Sequence, residues 1–420
     1  IVPARVLPLM APTMPSSSPI DASSTVKVDF STAVHAEANN GVNDLNGIEG
    51  NLRLWLDASN INATNNAGIT NNSTINKWLD LTGNGHSAKQ SIASKQPSLK
   101  ANGLNSISTI TFDSSNQHHL ETIPFNHSSN EITIISVFKT GDTITGRVYD
   151  HDGSKNGIRF KPTRNGLSGW NRNNETQSSH GNISAGQIAS NNAYLGTYSY
   201  KQNGTAFGYL NGSDKTISTD TSTGIEQNGT VSKIIGSDTT KNTQTFWHGE
   251  IAEILVFDKQ LSDAELTKIN YYLSKKWGLE SRVDSDNDGY IDAEELSFGS
   301  SPTNESSTIK VDFSTAVDSQ INNGTTDLDG IEGNLTLWLD AKNINAATNT
   351  GIANTSSIAR WLDLSGSGHV AKQPTSNEQA KFNSSDNSIT FDGTNDFFAL
   401  DSNILKNTPY TIISTHTIQH

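Results

Sequence analysis

Residues 284–295 read Asp-Ser-Asp-Asn-Asp-Gly-Tyr-Ile-Asp-Ala-Glu-Glu, a spacing that could hold a metal ion. Asp284, Asp286 and Asp288 place carboxylates at positions 1, 3 and 5 of a twelve-residue loop, and Gly289 permits the sharp turn at position 6. Tyr290 offers its backbone carbonyl at 7, Asp292 stands at 9, where ligation often runs through water, and Glu295 at 12 can bind through both oxygens. Hard oxygen donors at these intervals select Ca2+ and not zinc. Without the ion, so many carboxylates repel one another; with it, they fold the segment around the cation and fix the angle between its neighbours. Weak extracellular affinity, roughly 10⁻⁴–10⁻³ M, suits such a structural clamp.

Other side chains offer less. Glu250 and Glu253 are three apart, which on a regular strand directs them to opposite faces. They then cannot flank a glycosidic bond, which needs two carboxyls roughly 5–10 Å apart. The histidines are scattered, and the reading is a chain without catalytic residues. For sugar binding, Trp170 stands among Asn, Gly and Ser, beside Asn171 and Asn173, and Tyr200 ends an aromatic strand. These four are the candidate ligand-binding residues; the alternative is that Trp170 packs beneath its own loop. Trp55, Trp78, Trp247 and Trp277 read as core, and Asp150-His151-Asp152-Gly153 reads as a turn.

The elements that must position these residues are mostly strands. Leu52, Leu54 and Leu56 alternate with Arg53, Trp55 and Asp57, and similar runs recur at 131–138, 193–200 and 251–257. Many short strands separated by Gly, Asn, Asp and Ser predict an all-β fold of large two-sheet jelly rolls. One helix interrupts them. Ser262 with Glu265 forms a capping box, and Leu266, Ile269, Leu273 and Trp277 make one apolar stripe. Lys275 and Lys276 suit its negative end, and Gly278 its left-handed stop.

The chain also repeats itself. Val26–Val34 returns as Ile309–Val317, and Trp78-Leu79-Asp80-Leu81 as Trp361-Leu362-Asp363-Leu364, at a constant offset of 283 residues. After a four-residue deletion, Ile110-Thr111-Phe112-Asp113 matches Ile389-Thr390-Phe391-Asp392. The organisation is therefore an extended Pro/Ser-rich segment (1–22), a strand-like connector (23–44) and a large jelly roll (45–280) closed by its helix. A calcium linker (281–305), the repeated connector (306–327) and the truncated first part of a second jelly roll (328–420) follow. The opening residues read as a mature terminus after export.

Leu54-Trp55-Leu56-Asp57-Ala58, Trp78–Gly85, Ile110–Asp113 and Gly249–Phe257 with the helix ending in Lys275-Lys276-Trp277-Gly278-Leu279 resemble bacterial laminin-G-like, concanavalin-like jelly rolls. The loop through Pro302-Thr303-Asn304 resembles a thrombospondin type 3 repeat. The resemblance implies the fold and hosts sugar binding, protein binding and spacing alike. With 29 Lys plus Arg against 43 Asp plus Glu, net charge −14 and no cysteine, no basic stripe exists for nucleic acid. No apolar run approaches a membrane span. The reading is a secreted or cell-surface bacterial protein serving adhesion, with Ca2+ as cofactor and glycans or other surface polymers as partners. Its alternative is a structural subunit of a fibre or stalk, in which extended segments dock on neighbouring copies.

Overall fold

The computed structural model describes Phe30 and residues 50–63, 65–127, 129–151, 157–173, 178–213, 215–225, 231–307, 309, 334–345, 349, 351–400, 404 and 410–417; the side chains of 172, 173 and 178 are outside this set. The first unit is a sandwich of two antiparallel sheets. One sheet runs β14 (Thr216–Ser218), β13 (Ala206–Leu210), β12 (Ala193–Lys201), β7 (Glu131–Thr140), β16 (Gly249–Phe257), β5 (Ile107–Phe112) and β4 (Ser98–Leu104), with β1 (Leu52–Asp57) also on β16. The other runs β11 (Ser178–Ala185), β10 (Gly166–Asn173), β9 (Gly157–Thr163), β8 (Tyr149–His151), β15 (Ile234–Ile235), β6 (Leu120–Thr122), β3 (Ala88–Lys89) and β2 (Lys77–Trp78). The fold is the all-β jelly roll expected from the strand pattern. Phe138 joins the layers, standing edge-on to Phe160 at 6.2 Å and to Trp247 at 5.7 Å. Trp55, Trp78, Trp247 and Trp277 are all buried.

Helix α1 (Asp263–Trp277) begins with the expected capping box and ends at Gly278 in the left-handed conformation. It covers the outer face of the first sheet. Leu266, Ile269, Leu273 and Trp277 are buried there, which explains why β7, β12 and β16 are buried along nearly their whole length. Under it lies a buried charge. Lys276 Nζ donates to Asp57 Oδ2 and Glu253 Oε2, each at 2.8 Å, and to the Tyr272 hydroxyl at 3.0 Å. Trp277 Nε1 donates to the same Glu253 oxygen at 2.8 Å, and Trp55 Nε1 to the other at 2.7 Å.

Two expectations are corrected in this unit. A β-bulge shifts register between Ile251 and Glu253: Ile251 lies opposite Phe138, and Glu253 opposite Val137. Since Phe138 and Val137 are adjacent, Glu253 takes the face opposite Ile251, the same face as Glu250. The two carboxylates are nonetheless separately engaged, Glu250 by Lys100 (2.7 Å) and Thr109 (2.6 Å), Glu253 by the groups beneath the helix. Asp150 and His151, read as a turn, are buried in β8, while 152–156 lie outside the described residues.

Two imidazoles are buried near the interior end of β8. His127 Nδ1 pairs with Asp258 Oδ1 at 2.8 Å, and Arg53 holds the other oxygen of Asp258 at 2.6 Å. His127 Nε2 and both nitrogens of His151 have no hydrogen-bond partner, and the rings stand 5.2 Å apart. Lys233 is buried beside them, its ammonium donating to the Phe125 carbonyl at 2.6 Å. Burial, then the Lys233 charge, hold His151 well below the usual imidazole range; burial first holds His127 down as well. Folded pKa values below the unfolded one mean that these histidines take up protons on unfolding. Stability is therefore intact above about pH 6.5 and falls as pH drops below it, by about 1.4 kcal/mol per pH unit for each proton taken up. Urea titrations of wild type and His151→Phe between pH 7.5 and 5 isolate this loss, because the carboxylates of the acidic loop act equally in both, and His151→Phe should lose less stability per pH unit. An equally steep slope in the variant would assign the acid sensitivity elsewhere.

The second unit repeats the first in detail. Strand β17 (Arg360–Leu362) pairs with β18 (Val370–Lys372) so that Trp361 faces Ala371, as Trp78 faces Ala88. In β19 (Lys381–Asn383) and β20 (Ser388–Thr390), Phe382 faces Ile389 as Leu99 faces Ile110. The four-residue deletion falls in the connecting hairpin, whose longer first-unit form carries an irregularity between Lys100 and Leu104. Trp338 N donates to Asp363 Oδ1 as Trp55 N does to Asp80 Oδ1. Residues 335–340 are not a strand, however. Their counterpart β1 is held by β16, and the described second-unit residues offer no equivalent. Thr411-Ile412-Ile413-Ser414 repeats Thr133-Ile134-Ile135-Ser136, and Ile412 and Ile413 are 71% and 90% exposed where Ile134 and Ile135 are covered by β12 and β16.

Most of the two connectors lies outside the described residues. Of the first, Phe30 is described, in helical backbone rather than the extended one its alternation predicts. Its ring packs edge-on to Trp55 at 5.1 Å and Tyr272 at 6.1 Å. Of the second, Ile309 is described and buried. No described helix is long and apolar enough to cross a membrane.

Candidate metal centre and ligand-binding residues

In the acidic loop, Asp284, Asp286 and Asp288 each divide their oxygens between two tasks. One oxygen holds the backbone: Gly289 N donates to Asp284 Oδ2 at 3.0 Å, Tyr290 N to Asp288 Oδ1 at 2.8 Å, and Asp288 N to Asp286 Oδ1 at 3.4 Å. The other oxygen of each, namely Asp284 Oδ1, Asp286 Oδ2 and Asp288 Oδ2, is buried without a partner. Ligand atoms of the three aspartates lie within 4.8 Å of one another. Gly289, at φ +106°, makes the turn a side chain would strain.

Helix α2 (Asp292–Phe298) returns Glu295 to the loop. Glu295 is fully buried, and neither of its oxygens has a partner. Burial pushes its carboxyl up to about 10, helped by the charges of Asp286, Asp288, Asp292 and Asp284. Burial first, then neighbouring aspartates, raise Asp284 and Asp288 to about 7. Five partnerless carboxylate oxygens, three on the clustered aspartates and two on the helix that follows them, are costly without a cation. Oxygens alone, three single and one pair, fit the hard-ligand set of Ca2+.

Asp292 departs from the reading made of it. Ser285 N and Ser285 Oγ donate to its two oxygens, each at 2.9 Å, so it closes the loop instead of pointing at the centre. Burial first raises it also to about 7. Ser285, at position 2, was not singled out in the sequence because its role depends on this cross-loop contact. The Tyr290 side chain leaves the loop and is buried.

The loop is held from both sides. Asp284 N donates to Asn211 O at 3.0 Å, and a Cβ on Gly212 would fall 1.9 Å from Asp284 O. Gly212 at φ +84° is thus required by close approach as well as by conformation. On the other side, Tyr290 OH donates to Asp363 O at 3.0 Å, and the Arg360 guanidinium donates to Gly289 O.

The candidate sugar residues do not form one surface. Tyr200 is buried and donates its hydroxyl to Thr223 O. Asn171 is buried, and its amide donates to Gly224 O at 2.9 Å and Thr223 O at 3.3 Å. Both fasten the 223–224 loop from inside and are corrected to structural roles. Asn173 lies on β10, its side chain outside the described set. Trp170 is half-buried, with the Arg159 guanidinium 5.5 Å from its ring centre. It packs on its neighbouring strand and not beneath its own loop.

No protein-family model matches the chain, and no curated protein matches it. Among solved structures it is similar to the binding domain of Paraclostridial Mosquitocidal Protein 1, with 14% identity and TM-score 0.37 over 54% of this chain and 52% of that one. It is also similar to domain 4 of an extracellular arabinanase from Geobacillus stearothermophilus in complex with arabinotriose (13% identity, TM-score 0.35, 53% of this chain and 97% of that one). A third is the IT-sialidase CBM40 of Ruminococcus gnavus bound to α2,3-sialyllactose (14% identity, TM-score 0.29, 36% and 92%). The chain spans about half the length of the first of these. Likenesses this distant do not extend to what those proteins bind.

Proposed function

We propose that this is part of an exported, non-enzymatic bacterial protein of tandem laminin-G-like jelly rolls, joined by a thrombospondin type 3-like calcium junction and serving adhesion. One observation carries the reading: three clustered aspartates and the buried Glu295 leave five carboxylate oxygens partnerless in a segment held by both units. Such a loop, loose without cation and rigid with it, sets how far and at what angle a surface domain is presented. Small-angle scattering of the chain in millimolar calcium and in EGTA tests it. A more compact, better-defined particle in calcium is expected; identical profiles would remove the junction role.

Glycan is the ligand class we assign to the first unit, and Trp170 is the residue left to carry it. Trp170→Ala is expected to weaken glycan retention at least tenfold with the melting temperature unchanged, read on a glycan array with calcium present. Retention equal to wild type would clear Trp170 of a binding role. The alternative of a fibre or stalk subunit is favoured by a separate observation. Phe30 and Ile309, from the two copies of the connector, are both buried against folded units.

A further inference from the structure

We infer that docking of the second unit and calcium binding by the junction loop are coupled through Tyr290 and Arg360, so that each strengthens the other. The inference rests on the calcium reading of the loop. Tyr290 belongs to both sites. Its backbone occupies position 7, where the carbonyl is a ligand. Its ring is fully buried with Ile309, Leu362, Leu364 and Val370, and Trp338 packs at the margin. The preceding peptide is gripped as well. Arg360 holds the Gly289 carbonyl and reaches Glu294 Oε1 at 3.3 Å and Oε2 at 3.2 Å. A Cβ on Gly289 would stand 3.3 Å from Val370 Cγ2, so the second unit lies directly against the turn.

The first unit fixes the start of the loop through Asn211 and Gly212, and the second fixes its turn. A loop clamped at both points has already lost the freedom that calcium would otherwise have to remove. Ligands that favour the same ordered state bind with positive cooperativity, and the coupling is reciprocal. Leu362, Leu364, Val370 and Arg360 supply no oxygen to the centre. The apolar three can therefore act on calcium only through the loop backbone, whereas Arg360 acts both through its grip on Gly289 and through its charge.

Calcium titration calorimetry on the full chain tests this with two variants. Leu364→Ser opens the apolar seat of Tyr290, and Arg360→Gln removes the grip on Gly289. Both are expected to bind calcium about tenfold more weakly, within the roughly 5–150-fold span of such couplings. Arg360→Gln is the sharper case, because losing a cation beside an acidic loop would by charge alone strengthen calcium binding. Arg360 is part-exposed, which protects the fold if Leu364→Ser unfolds the second unit. Wild-type or tighter affinity in Arg360→Gln, with its circular dichroism unchanged, would overturn the coupling and leave the calcium site standing. A wild-type chain that takes up no calcium would end both readings.

Discussion

Glu295→Gln is expected to abolish the stabilisation that calcium gives this chain. A ligand bound only by the folded state adds about 2.7 kcal/mol at a hundred times its dissociation constant. At the weak extracellular affinity expected here, roughly 10⁻⁴ M, that corresponds to about 10 mM calcium. Glu295 alone offers two oxygens, both buried and partnerless, so its amide removes the bidentate ligand and one of the four ligand carboxylate charges. The expected result is a clear rise in melting temperature with calcium for wild type and none for Glu295→Gln. The variant should also melt higher than wild type in EGTA, since its amide carries no charge to bury, and burial, helped by the neighbouring carboxylates, is what holds Glu295 at about 10.

The sign of the pH dependence follows. Asp284, Asp288 and Asp292 stand at about 7 without the ion, above their unfolded values near 3.9. Raised carboxylate pKa values mean that the calcium-free loop costs stability at neutral pH and recovers it as pH falls. Calcium competes with those protons, so its stabilising effect should grow from pH 6 to pH 8. Differential scanning fluorimetry at several calcium concentrations measures both. A calcium shift that survives in Glu295→Gln would move the cation elsewhere.

Lys276→Met is expected to cost about 3–5 kcal/mol, the largest loss among the predicted substitutions in the first unit. Breaking a buried ion pair from one side leaves its partners charged and dry. Lys276 is buried, and Asp57 and Glu253, its two anionic partners, are buried with it. Burial opposes its charge, yet Glu253, then Tyr272 and Asp57, hold its pKa well above the ordinary value. Lys276→Met with Glu253→Gln should recover part of the loss. The neutral amide keeps one acceptor oxygen for either Trp55 or Trp277, which reach separate Glu253 oxygens, so the recovery stays partial. Urea denaturation of the set gives the values. A loss below about 1 kcal/mol for Lys276→Met would mean that water reaches the network, against the burial of every member.

Much of this was legible in local spacing. The capping box at Ser262 and the stripe from Leu266 to Trp277 are helix signals within fifteen residues, and both stand as read. The sheets were legible as strands but not as partners. Tyr200 was read as a ligand residue because a strand end is a common place for one. It turns inward in register with Ile132 on β7. Glu250 and Glu253 were misassigned because a single bulge reverses the parity of a strand. Lys276 was read as a cation for the end of its helix, and its real partner Asp57 lies 219 residues earlier.

Local sequence was enough for the acidic loop, the all-β class, the closing helix and the repeat, because each is written in residues within a few turns of one another or in direct identity between copies. Tertiary structure alone decided which carboxylate oxygens of the loop stay without a partner, that Ser285 takes Asp292, and that Tyr290 reaches from the loop into the second unit. The physical reason is range. Backbone preference and ligand spacing act over about a dozen residues, whereas burial and hydrogen-bond satisfaction depend on which distant strand the fold brings alongside.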